Sequence, residues 1–126
     1  MKLRDPSLLT GKNFSNGEWI DADHGATLAV DNPATGEQLA QVARCGGAET
    51  ARMISAAERA QRSWATSTGK QRSALLRRWY ELIIANADDL AALLTAEQGK
   101  PLAEARGEIV YGANYVEWFA EEAKRR

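Results

Sequence analysis

One cysteine and one histidine in 126 residues remove several classes of chemistry at once. Cys45 has no partner for an internal disulfide, which fits a reducing compartment. As a nucleophile it would need an activating base or an electropositive pocket, and no histidine lies near it in sequence, so Cys45 reads as structural. His24 sits alone in the polar run Asp21-Ala22-Asp23-His24-Gly25 and reads as a solvated loop residue rather than a base or ligand. Excess charge is missing too: 16 Lys and Arg against 17 Asp and Glu leave a formal net charge of -1, which gives no bulk attraction to nucleic acid or an anionic membrane. No apolar run approaches the roughly 20 residues that span a bilayer. Met1 to Pro6 lacks the apolar centre of a secretory signal, so the expected compartment is the cytoplasm.

What is present is 44% hydrophobic and 26% charged, the balance of one globular unit. Residues 1–11 carry no periodic signal beyond Leu8-Leu9 and read as an amino-terminal arm that another surface must order. Residues 12–45 form a strand region. Asn16-Gly17, flanked by Lys12 to Ser15 and Glu18 to Ile20, has the positive-φ readiness of a two-residue hairpin turn, with Trp19 expected to anchor the buried face. Thr27 to Asp31 reads as a strand ended by the turn Asn32-Pro33-Ala34-Thr35-Gly36, and Gln38 to Arg44 as its return. Leu39 and Val42 do not share strand parity, which leaves the facing of that return strand open.

Gly46-Gly47 opens a helical region, residues 48–126, of three to four helices; two adjacent glycines lack the spacing of a dinucleotide-binding turn. Met53, Ala57, Ala60 and Trp64 fall on one helical stripe, with Arg52, Glu58, Arg59 and Arg62 on the solvated side. After the break Ser67-Thr68-Gly69, Leu75, Trp79, Leu82 and Ile83 make a second stripe that Leu76 and Tyr80 widen. Asn86-Ala87-Asp88-Asp89 offers capping oxygens and negative charge, so a kink or break is expected near Asn86. Arg72, Arg77 and Arg78 have no aromatic stacking platform beside them and read as surface ion-pair partners.

Glu97-Gln98-Gly99-Lys100-Pro101 is the sharpest reversal. Gly99 suits the left-handed end of one helix and Pro101 the first turn of the next. Beyond it Leu102, Ala105, Ile109, Gly112, Val116, Phe119 and Ala123 repeat at three and four, predicting one buried stripe. Gly107 and Gly112 each cost about 1 kcal/mol against alanine inside a helix, which implies either close packing or room for a ligand beside Tyr111 and Tyr115. The last helix runs to Arg126 with no stop signal, and its apolar arcs exceed what a small hairpin covers. The chain therefore reads as a fragment or subunit of a larger domain, with no nucleophile, base and charge stabiliser assembled in it. A non-enzymatic helical interaction module would use the same faces.

Taken in order, Asn16-Gly17-Glu18-Trp19, Asn32 to Glu37, Trp64, Arg72 with Leu75-Leu76, and Glu97 to Pro101 resemble the amino-terminal part of the NAD(P)-dependent aldehyde dehydrogenase superfamily. Gly107 to Ala113 and Glu117 to Arg125 resemble the succinate-semialdehyde dehydrogenases within it. The resemblance implies an α/β fold in which hairpin strands precede the helices of a truncated cofactor-binding domain. It also implies oxidation of succinate semialdehyde, or of glutarate semialdehyde, through a cysteine thioester with hydride transfer to NAD or NADP. The catalytic cysteine, glutamate and asparagine and the cofactor contacts would lie after Arg126, so the segment alone is expected to be inactive.

In relatives, backbone oxygens before the Asn-Pro turn and the acidic residue before Gly-Lys help hold a structural monovalent cation, which maps onto Val30, Asp31 and Glu97. Hard cations do prefer such oxygens, while a capping or ion-pair role for Glu97 is the alternative. In relatives the helix after the reversal also lines the mouth of the substrate tunnel, which maps onto Gly107, Tyr111 and Tyr115. No motif here matches the arginines that recognise the succinyl carboxylate, so that substrate rests on overall likeness. Implied partners are the remainder of the chain, a second copy in a dimer or tetramer, and a small aldehyde.

Overall fold

A computed structural model describes residues 1–125 and contains four strands and four helices, in the expected order of hairpins first and helices after. They form two compact units, residues 9–66 and residues 1–8 with 67–126.

The first unit holds two antiparallel hairpins and one helix. In the first hairpin β1 (Asn13–Ser15) pairs with β2 (Glu18–Ile20). Its turn residues Asn16 and Gly17 have φ of 52° and 84°, the two positive values that match the twist of paired strands. Trp19 is not the buried anchor the pattern suggested: it stands directly opposite Phe14, the rings meet edge-on at 5.1 Å, and both are more than half exposed. A three-residue pair offers too little sheet to cover either ring.

In the second hairpin β3 (Thr27–Asp31) pairs with β4 (Gln38–Ala43). Here the parity conflict resolves. Val30 pairs with Ala40 and Asp31 with Gln38, so Leu39 is the extra residue of a bulge and need not share the facing of Val42. Gly11 lies against this strand, its carbonyl accepting from the Ala43 amide at 2.6 Å, and a Cβ on Gly11 would overlap the Gln41 carbonyl.

The helix α1 (Gly47–Ala65) groups with the hairpins rather than with the later helices. Its Met53, Ala57 and Ala60 line a shallow depression shared with Phe14, Ser15 and Asn16, where the stripe read from sequence meets the first turn. At its start Glu49 reaches back to the Gly46 amide at 3.0 Å and takes the Asp23 amide at 3.1 Å, tying the His24 loop to the helix. Asn13 Nδ2 donates to Cys45 Sγ at 3.1 Å and to the Ala43 carbonyl, a packing role for the thiol.

The second unit contains α2 (Gly69–Ala85), α3 (Ala87–Gln98) and α4 (Leu102–Glu122). Thr68 caps α2 by accepting from the Gln71 amide while Gln71 returns a bond to Thr68. The expected break falls on Asn86. Its side chain caps the end of α2, donating to the Leu82 carbonyl at 2.9 Å, and does not cap α3. Gly99 ends α3 with φ 79°, and Pro101 immediately precedes α4 instead of occupying its first turn. The last helix does not run on to the terminus: it ends at Glu122, and Arg126 lies outside the described residues.

The buried face of α4 differs from the predicted stripe. Ala105, Ala113 and Ala120 are fully buried, with Ile109 between them, while Leu102 and Phe119 are 56% and 57% exposed. The helix is rotated so that its alanines are turned inward, and Ser73 on α2 and Ala91 and Ala96 on α3 are buried as well. Small side chains let helix backbones approach closely, which displaces large ones to the flanks. Gly107 and Gly112 are not the points of approach, because a Cβ on either would meet nothing within 4 Å.

Candidate functional site

Within the helical unit, α2, α3 and α4 leave an open, apolar groove of about 820 Å³. Leu82 and Ile83 come from α2, Leu94 from α3, Ile109 and the tyrosines from α4, and Leu8 from the arm. The i, i+4 spacing of a helix brings Tyr111 and Tyr115 together. Their hydroxyls lie 2.7 Å apart and their rings meet edge-on at 5.1 Å. Hydrogen bonding to Tyr111, helped by burial, holds the Tyr115 phenol above its ordinary value of 10. At the rim Glu108 pairs with Lys100, which neutralises it. The groove can therefore hold an apolar chain and offer phenolic hydrogen bonds, with no acid–base pair or nucleophile in its wall.

Gly107, placed with the tyrosines from sequence, lies one turn before Tyr111 but does not line this groove. Of the residues mapped to a cation, Val30 and Asp31 close β3 before the Asn-Pro turn in the first unit, and Glu97 is exposed in the last turn of α3 in the second. Among the described residues no group of three or more His, Cys, Asp and Glu is placed to hold a metal ion. Among the described residues Glu97 makes no ion pair.

Two residues escaped sequence reasoning. Asp89 reads as one of two capping charges, yet it is 7% exposed and accepts the Arg4 amide at 3.0 Å and the Asp5 amide at 2.8 Å. Asp88 meanwhile pairs with Arg4 and Arg106, and the Arg106 guanidinium, more than Arg4, holds its carboxyl below the usual range. Leu8 is the other, carried into the groove by a 3-10 turn at Pro6–Leu8. A contact across 84 residues leaves no periodic trace in a sequence.

Residues 19–126 match the model of the aldehyde dehydrogenase family. The chain belongs to that family. It is 58% identical over 125 residues to the glutarate-semialdehyde dehydrogenase of Pseudomonas putida, covering 99% of this chain and 26% of the relative. It is 50% identical over the same span to the NADP(+) succinate-semialdehyde dehydrogenase of Escherichia coli, again 26% of that protein. Among solved structures, succinate-semialdehyde dehydrogenase from Burkholderia pseudomallei superposes with a TM-score of 0.96 at 57% identity, over 99% of this chain and 26% of that one. The chain thus spans about a quarter of the length of these aldehyde dehydrogenases, and its hairpins and helices match their amino-terminal part.

Proposed function

We propose that the protein is an NAD(P)-dependent aldehyde dehydrogenase that oxidises succinate semialdehyde to succinate through a cysteine thioester. The identity of 50–58% to semialdehyde dehydrogenases across nearly the whole chain carries this reading. Glutarate semialdehyde is the second substrate, favoured by the 58% match. Both molecules join an aldehyde to a carboxylate by a short methylene chain.

In this reading residues 1–126 build and brace part of the cofactor-binding domain, and the reacting groups come from the rest of the protein. Tyr111, Tyr115 and Gly107 stand at the mouth of the substrate tunnel. The protein works in the cytoplasm as a dimer or tetramer.

The test is turnover by the full reading frame with each semialdehyde and each of NAD and NADP, beside residues 1–126 alone. Reduced cofactor should form only with the full protein. Its formation by residues 1–126 would contradict the assignment of chemistry to the remainder, and its absence from both would remove the substrate assignment.

A further inference from the structure

Three stretches remote in the chain meet at the start of α3. Asp89, nearly buried, accepts the Arg4 amide at 3.0 Å with one carboxylate oxygen and the Asp5 amide at 2.8 Å with the other. Its neighbour Asp88 takes the Arg4 guanidinium at 3.1 Å and that of Arg106, on α4, at 2.9 Å. An aspartate in the first turn of a helix ordinarily serves that helix, through its amides or its dipole. Asp89 instead turns both oxygens to another segment, while Asn86 leaves α3 without a side-chain cap. Past this point Asp5 folds the arm, its carboxylate accepting from the Ser7 amide at 3.0 Å and the Ser7 hydroxyl at 2.6 Å in the turn Pro6–Leu8. Residues 1–8 accordingly group with residues 67–126, although residues 9–66, which separate them in sequence, form the other unit.

We propose that residues 1–8 are a latched strap on the helical unit, with Asp89 as the latch and the Arg4–Asp88 pair as an accessory tie. The two differ in strength for a physical reason. Bonds from amides to a carboxylate out of water are stronger than neutral ones, and losing that carboxylate leaves the amides unpaired. The Arg4 and Asp88 side chains are 79% and 51% exposed, where water and salt screen the pair. Two consecutive amides on one carboxylate also fix the direction of the strap, which an ion pair on a flexible side chain does not. The strap therefore opens in one step, when Asp89 releases both amides together, and not by fraying one residue at a time. This device is independent of the dehydrogenase reading.

The experiment is native-state hydrogen exchange on the full-length protein, read at single amides. In the unsubstituted protein Arg4 and Asp5 should have equal protection factors, well above that of Lys2. Asp89→Asn, which keeps one acceptor oxygen, should speed exchange at both amides about tenfold and quicken tryptic cleavage after Arg4. Asp88→Asn should leave both within about twofold. Protection at Arg4 and Asp5 no greater than at Lys2, or unequal between them, overturns the one-step latch, and that measurement needs no variant should Asp89→Asn fail to fold. Unchanged exchange in a folded Asp89→Asn overturns it as well. An effect of Asp88→Asn as large as that of Asp89→Asn assigns the hold to the surface pair and overturns the role given to Asp89.

Discussion

Arg77 on α2 and Glu117 on α4 meet at 2.6 Å, and the second arm of the same guanidinium reaches Glu121, one turn further along, at 2.7 Å. The fork spans two successive turns of α4 and ties that helix to α2. The guanidinium also lies 5.3 Å from the Tyr80 ring centroid. The hydrogen bonds that Arg77 donates to Glu117, then to Glu121, raise its pKa, and Arg77 is the main cause of the lowered value of Glu121.

Arg77→Lys keeps the charge but not the fork, because one ammonium cannot match both carboxylates in a plane. Urea unfolding of residues 1–126 should show a lower midpoint for Arg77→Lys and a still lower one for Arg77→Met. Equal midpoints for all three proteins would show that the fork does not set the packing.

Ala113 and Gly107 should respond in opposite directions to added bulk. Ala113 is fully buried, so Ala113→Leu overpacks the helix contact and should cost about 1–3 kcal/mol. A Cβ at Gly107 meets nothing, so Gly107→Ala should stabilise residues 1–126 by about 1 kcal/mol through helix propensity. Chemical denaturation of the two variants reads both signs. In the full protein, loss of activity by Gly107→Ala despite a gain in the segment would mark a close neighbour supplied by the remaining chain.

Glu49 should make stability depend on acid. The Asp23 amide, followed by the amides of Glu49 itself and Gly46, holds its pKa below the ordinary 4.5. A carboxylate with a folded pKa below its unfolded one contributes fully above the unfolded value and loses that contribution as the pH falls through the folded value. Stability of residues 1–126 should therefore drop from pH 6 toward pH 3. Glu49→Gln should be less stable at pH 6 and show a smaller drop. Part of the drop should persist, since Asp5, Asp88 and Glu121 are lowered as well. A slope in Glu49→Gln as steep as in the unsubstituted chain would count against the assignment.

The exposed apolar groups predict association. Leu75, Trp79, Trp118 and Phe119 are 56–62% exposed, an unusual display of large side chains for one isolated chain. Residues 1–126 should bind a hydrophobic dye and self-associate, as followed by fluorescence and by light scattering. A monodisperse, dye-silent species that melts in one transition would rule this out.

The elements themselves were legible because their causes are local. Asn16-Gly17 accepts two positive φ values, Gly99 accepts the left-handed conformation, Thr68 and Gln71 form a capping box three residues apart, and Asn86 interrupts a helix. The order of motifs likewise carried the family. Which face each helix turns inward was not legible. On α4 the periodic large residues and the alanines lie on neighbouring stripes, and hydropathy favours the large ones. Close approach of three helices favours the small ones, and that preference exists only once the neighbours are present. The same holds for Asp89, whose local setting reads as a helix start and whose burial comes from amides at Arg4 and Asp5. Thus the sequence by itself determined the strands, the helices, the breaks between them and the aldehyde dehydrogenase likeness, through backbone preferences that act over a few residues. Only the tertiary structure decided the rotation of α4, the bulge at Leu39 and the clasp that brings Leu8 to the groove, because each depends on contacts between residues remote in the chain or paired across strands.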